Sequence, residues 1–203
     1  TTGGSNVALG DRSLLLNTTG HSNTALGQHT LAANTTAVGN TAVGREALYA
    51  NTTGYENTAV GYQAAKNGTT GYKNIAVGTR ALEDITTGDR NVGIGPDAGK
   101  DITTGQYNVA IGNWTMGSLT TGVHNTGIGT NVMAALTGDY NTAVGSTALD
   151  TAGDSDSNTA VGYAALTALN SGHSNTGVGF DALTTMTTGV SNTALGFNAG
   201  HNS

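Results

Sequence analysis

The chain has 203 residues, 32 of them Gly and one Pro, with 10% charged and 5% aromatic side chains, which excludes an ordinary globular core packed from large apolar residues. Its net charge of −6 is divided unevenly: residues 1–100 hold seven basic and seven acidic side chains, whereas residues 101–203 hold six acidic ones and no Lys or Arg, which makes nucleic acid and anionic membrane poor partners for the second half. There is no Cys for disulfide or thiol chemistry, and no apolar run of the roughly eighteen residues that would insert into a bilayer as a helix.

Taken in order, the chain is one phrase said again and again. Thr1-Thr2-Gly3-Gly4-Ser5 reads as the tail of a repeat, with no initiator Met or signal peptide before it. Units then begin at Asn6, Asn23, Asn40, Asn57, Asn74, Asn91, Asn108, Asn125, Asn141, Asn158, Asn175 and Asn192. The spacing is seventeen throughout except for one of sixteen, where Leu136-Thr137-Gly138 has lost a Thr. His201-Asn202-Ser203 stops partway through a further unit. The expectation is a single repeat array over 1–203, a fragment of a longer fibre.

Numbering each unit from its Asn, position 2 is Thr, Val or Ile and position 4 is always Leu, Val or Ile. Two such residues flanking a third are the period-2 signature of a strand, and the pattern predicts that positions 2 and 4 point inward. The expected core is therefore Val43, Val60, Val77, Ile94, Ile111, Ile128, Val144, Val161 and Val178. Position 5 is Gly in every unit and a second Gly recurs at position 15, as corners demand. Between them, Arg45-Glu46-Ala47-Leu48-Tyr49-Ala50 has helical propensity but is too short to stand as a helix in water. It reads instead as a short second strand with Ala47 and Leu48 near the core. Identical letters one coil apart would stack, giving an amide ladder at position 1 and Thr lining a corner at positions 13 and 14.

Position 3 is Ala or Gly in all twelve units, and opposite-facing from positions 2 and 4. A solvent-facing position would admit a large polar residue somewhere in twelve trials, so Ala42, Ala59, Ala76, Gly93, Ala110, Gly127, Ala143 and Ala160 are expected to pack against another chain. Two or three aliphatics per coil leave burial thin against the entropy of ordering seventeen residues, which also favours side-by-side association. The fold expected is all-β: a parallel β-solenoid, twelve repeats at one coil each, intertwined or packed as a parallel homotrimer.

The phrase Asn57-Thr-Ala-Val-Gly-Tyr-Gln-Ala64, with Asn51-Thr-Thr-Gly54 before it, resembles repeats of phage tail-fibre proteins and related bacterial surface proteins. Asn108-Val-Ala-Ile-Gly112 is similar to the head repeats of trimeric autotransporter adhesins. The resemblance implies a trimeric, left-handed β-roll on a virion tail fibre or a bacterial cell surface. A seventeen-residue period exceeds the usual adhesin-head coil, and no anchor, stalk or chaperone segment is present.

No constellation suggests an enzyme or a cofactor. The five His have no metal-ligand spacing, and Gly93-Ile-Gly-Pro-Asp-Ala-Gly99 is the repeat itself, without the Lys of a phosphate loop. Asp154, Asp156 and Asn158 could offer oxygens to a hard cation but lack the turn Gly and terminal Glu of a calcium loop, so a solvated acidic corner is the favoured reading. Position 6 carries Tyr62 and then Tyr163, Phe180 and Phe197 on three successive units, while Trp114 stands alone. These are candidates for contact with a sugar or a protein receptor, although aromatics that merely stabilise the stack are the commoner case. Asn17, Asn34 and Asn51 begin formal glycosylation sequons that arise from the repeat and are expected to be unmodified. The function expected is a non-enzymatic fibre or adhesin segment, extracellular, that spaces or displays a receptor-binding surface. Ice binding through Thr ladders stands second, and a polysaccharide-degrading tailspike last.

Overall fold

The computed structural model describes residues 2–201; Thr1, Asn202 and Ser203, at the outer ends of the two partial repeats, lie outside the described residues. Twelve strands of three residues each run from β1 (Val7–Leu9) to β12 (Thr193–Leu195) and form one parallel sheet in sequence order. Every pair aligns like with like, as in Thr41↔Thr58, Ala42↔Ala59 and Val43↔Val60. The register survives the sixteen-residue unit, where β8 (Thr126–Ile128) still pairs Thr126 with Thr142 of β9 (Thr142–Val144). The chain is therefore a β-solenoid with one coil per repeat. The described residues contain no helix, hence none long and apolar enough to cross a membrane.

Local chemistry sets the shape of each coil. Thr, Val and Ile at positions 2 and 4 hold the strand extended. Gly at position 5 then turns the chain at a φ of 123 to 139°, a region closed to other residues, and stacks so tightly that a Cβ on Gly61 would stand 2.4 Å from the carbonyl oxygen of Gly78. At position 15 the requirement is approach alone: a Cβ on Gly54 would stand 2.3 Å from the carbonyl oxygen of Gly71.

The second strand expected over Arg45–Ala50 is absent. Glu46 and Leu48 have φ of 58° and 50°, and positions 7 and 9 repeat this left-handed geometry along the chain, so the stretch coils through turns. Its inward residues are nevertheless Ala47 and Leu48, both buried. From Thr18 to Thr103 the position-13 Thr side chains lock the next corner, each hydroxyl donating to the carbonyl of its counterpart one coil on, as from Thr52 to Thr69 at 3.1 Å and from Thr69 to Thr86 at 3.1 Å.

The two faces of the strand are reversed from expectation. Ala42, Ala59, Ala76, Gly93, Ala110, Gly127, Ala143 and Ala160 are buried inside their own coil and are not available to another chain. Val43, Val60, Val77, Ile94, Ile111, Ile128, Val144, Val161 and Val178 point outward, and none is buried. The reason is the narrowness of the coil. Large core side chains come from position 9 (Leu31, Leu48, Leu82, Met116, Met133, Leu149, Leu166) and, further along, from position 12 (Ile85, Ile102, Leu119, Leu136, Leu169). They leave no room for a third: a Cβ on Gly93 would already stand 2.8 Å from Leu82 Cγ. Position 3 is small because it faces a leucine of its own chain.

Asn at position 1 carries the polar half of the interior. The main-chain N–H of Asn74 donates to Asn57 Oδ1 at 2.9 Å, while its Nδ2 donates to the same oxygen at 3.2 Å and to the Gly88 carbonyl at 2.8 Å. Asn74 Oδ1 in turn accepts from the N–H and Nδ2 of Asn91. One side chain thus uses both donors and both lone pairs, which Asp, Ser or Gln could not do in this space. The ladder runs from Asn6 to Asn192.

Candidate functional surface

Because positions 2 and 4 face out, the strand side of the rod carries two columns of β-branched and aliphatic side chains in register. Position 4 is aliphatic on all twelve strands, and Val60, Ile94 and Ile128 are 37%, 38% and 39% exposed. Position 2 alternates in blocks, with Ile75, Val92 and Val109 at the middle of the rod and Thr126, Thr142, Thr159, Thr176 and Thr193 on five successive strands beyond. At about 4.8 Å per step, eleven steps between strands make a stripe about 53 Å long. No charged side chain interrupts either column.

The aromatic candidates lie on another edge of the coil. Tyr163, Phe180 and Phe197 do form one column, with ring centroids 5.1 and 5.4 Å apart and planes within 20° of parallel. Phe180 therefore has a ring against each of its faces, and a sugar cannot lie flat upon it. What the column offers a ligand is ring edges, with free faces only at its ends. Tyr62 is remote from these three, with the Arg45 guanidinium 5.9 Å from its ring centre. Trp114 lies over Gly117, where a Cβ would meet the indole at 2.6 Å, and is half-buried rather than presented.

A longer column was legible in the sequence only at its first pair, Tyr55 and Tyr72 at position 16. Tyr55 and Tyr72 stack at 4.8 Å, the Arg90 guanidinium sits 5.1 Å from Tyr72 and 5.2 Å from Tyr107, and Tyr107, His124 and Tyr140 continue at 4.8 and 5.2 Å. Five of these six side chains are π-systems and the sixth is the cation best suited to lie between two of them. The signal was there: Arg90, Tyr107, His124 and Tyr140 each immediately precede the Asn that opens a unit. It was hidden because the column begins one position earlier, at Tyr55 and Tyr72.

The three cation candidates are not brought together. Asp156 Oδ1 accepts the main-chain N–H of Asp139 at 2.7 Å, Asp154 is exposed, and Asn158 is spent in the buried amide ladder. Asp89 and Asp139 likewise accept the N–H of the position-16 residue one coil back, so acids at this position serve as main-chain partners. No group of three or more His, Asp or Glu among the described residues could hold a metal. The sequon residues Asn34 and Asn51 are buried and out of reach of a glycosylating enzyme.

Some charged residues of the first half pair between coils, as Lys66 with Glu46, Lys73 with Glu56 and Arg80 with Asp97. Glu46 accepts from Gln63 at 2.8 Å and from Lys66 at 3.0 Å, contacts that hold its carboxyl down at about 2. Burial pushes the carboxyls of Glu83 and Asp150 the other way, above their usual range. Comparison of the chain with protein-family models, curated proteins and solved structures gave no match.

Proposed function

We propose that this chain is a non-enzymatic segment of an extracellular fibre or adhesin, associating side by side with copies of itself, as a parallel homotrimer, through the strand face. The observation that carries this reading is the outward aliphatic column at position 4. Exposed apolar stripes of this length and continuity are costly in water unless something covers them. A second copy presents the same columns at the same spacing, so parallel copies match along the whole rod. This keeps the association expected from the sequence and moves it from position 3 to positions 2 and 4. Contact with a host glycan or protein then falls to the variable positions on the other edges, where the two aromatic columns stand.

The absence of Cys makes a clean test. With Val144→Cys on the strand face, oxidation is expected to give covalently linked copies rapidly, because parallel association about one axis brings equivalent residues together. Thr53→Cys, exposed at position 14, is the control. Equal, slow linkage from both positions would sink the proposal.

The same face favours one other reading. Five successive strands carrying Thr at position 2 beside an aliphatic at position 4 make a regular, weakly polar array, which suits ice binding better than the Thr of positions 13 and 14. Thermal hysteresis by the chain at millimolar concentration supports that reading; its absence removes it.

A further inference from the structure

Position 12 changes character along the rod. Asn17, Asn34 and Asn51 occupy it in the first coils and Ile85 and Ile102 in later ones, while Gly68 between them places no side chain there. An interior cavity of about 10 Å³ lies at this point, bounded by Asn51, Gly68, Leu48, Ala65 and Ile85 among others. That volume is about one water molecule. Two acceptors belong to lining residues of the coils on either side of Gly68. Asn51 is 1% exposed and its Nδ2 donates to the Gly54 carbonyl at 3.0 Å, but its Oδ1 has no hydrogen-bond partner. On the other side, the Ile85 carbonyl oxygen lies 3.4 Å from where a Cβ of Gly68 would stand and accepts no hydrogen bond among the described residues.

We propose that this cavity is a binding site for a single water, which donates one proton to Asn51 Oδ1 and the other to the Ile85 carbonyl and so stands in for the side chain that Gly68 lacks. The occupant must supply two donors within the volume of one heavy atom. A metal cation is excluded by the chemistry, since two oxygens fall far short of the six or more that a hard cation gathers. The water joins the coil before Gly68 to the coil after it, at the one place where a core partly filled by Asn gives way to one filled by aliphatic side chains. Unpaired, both oxygens would carry the full cost of burial.

A crystal structure at a resolution that places ordered water is expected to have one peak within hydrogen-bond reach of both oxygens; a featureless cavity overturns the proposal. Gly68→Ala gives a second arm. Gly68 has an ordinary backbone conformation, and the added Cβ would meet its nearest neighbour, the Ala65 carbonyl oxygen, at 3.2 Å. Gly→Ala stabilises where the methyl has room, but this approach to a backbone oxygen has a steric cost of its own, so the recovery in the double variant below is the arm that isolates the water. Here the methyl displaces the water, and the variant is expected to melt below the parent chain. Adding Asn51→Leu removes the stranded acceptor and is expected to recover part of the loss. A Gly68→Ala chain that melts above the parent, or a double variant with no recovery, contradicts the assignment.

Discussion

Each invariant letter of the repeat answers one physical demand. Asn at position 1 is the clearest case, because its four hydrogen-bonding sites are all used and all buried. Asn91→Leu would leave the N–H of Asn108 and the carbonyl of Gly105 without partners, and an expected loss of roughly 2–5 kcal/mol follows, read from chemical denaturation. Titration can be predicted at the same scale. Burial holds the Asp150 carboxyl above 3.8, so the folded chain keeps a proton that the unfolded chain releases, and stability falls as pH rises through that window. Asp150→Asn is expected to raise the melting temperature at pH 7. The gain should vanish below about pH 3.8, where the acid is protonated in both states; a gain of equal size at both pH values would show that charge is not the cause.

At the scale of the coil, the strand and its two glycine corners were legible in the sequence, because β-branched residues and Gly act through their own backbones. Which strand face points inward was not. Period 2 separates Ala110 from Ile111 but does not say which one meets the core; that depends on Leu at position 9, brought opposite the strand by left-handed residues with no sequence mark of their own. Apolarity alone misleads here, since the more apolar face is outside. The left-handed positions also store strain that a substitution can release. Thr147 is β-branched at φ 55°, whereas Asn visits that region readily. Thr147→Asn is expected to stabilise by about 0.5–1 kcal/mol, measured by denaturant midpoint, and a loss of stability would place the determinant of this turn elsewhere. The position-6 aromatics were legible as a column. Their mutual stacking, which closes ring faces to ligands, follows from the distance between coils rather than from residue identity.

For the whole molecule, every coil meets only its neighbours, so the rod is extended by repetition and its surface properties are those of columns. One column, the aliphatic one, carries the central claim that copies of the chain associate through the strand face. Sedimentation equilibrium of the parent chain beside Ile111→Lys tests it most directly, since Ile111 points away from the core and the variant can keep its fold, as circular dichroism would verify. The account predicts a parent chain at three times 20.2 kDa and a folded variant that dissociates toward one copy. A parent chain that sediments at 20.2 kDa across the micromolar range would contradict it.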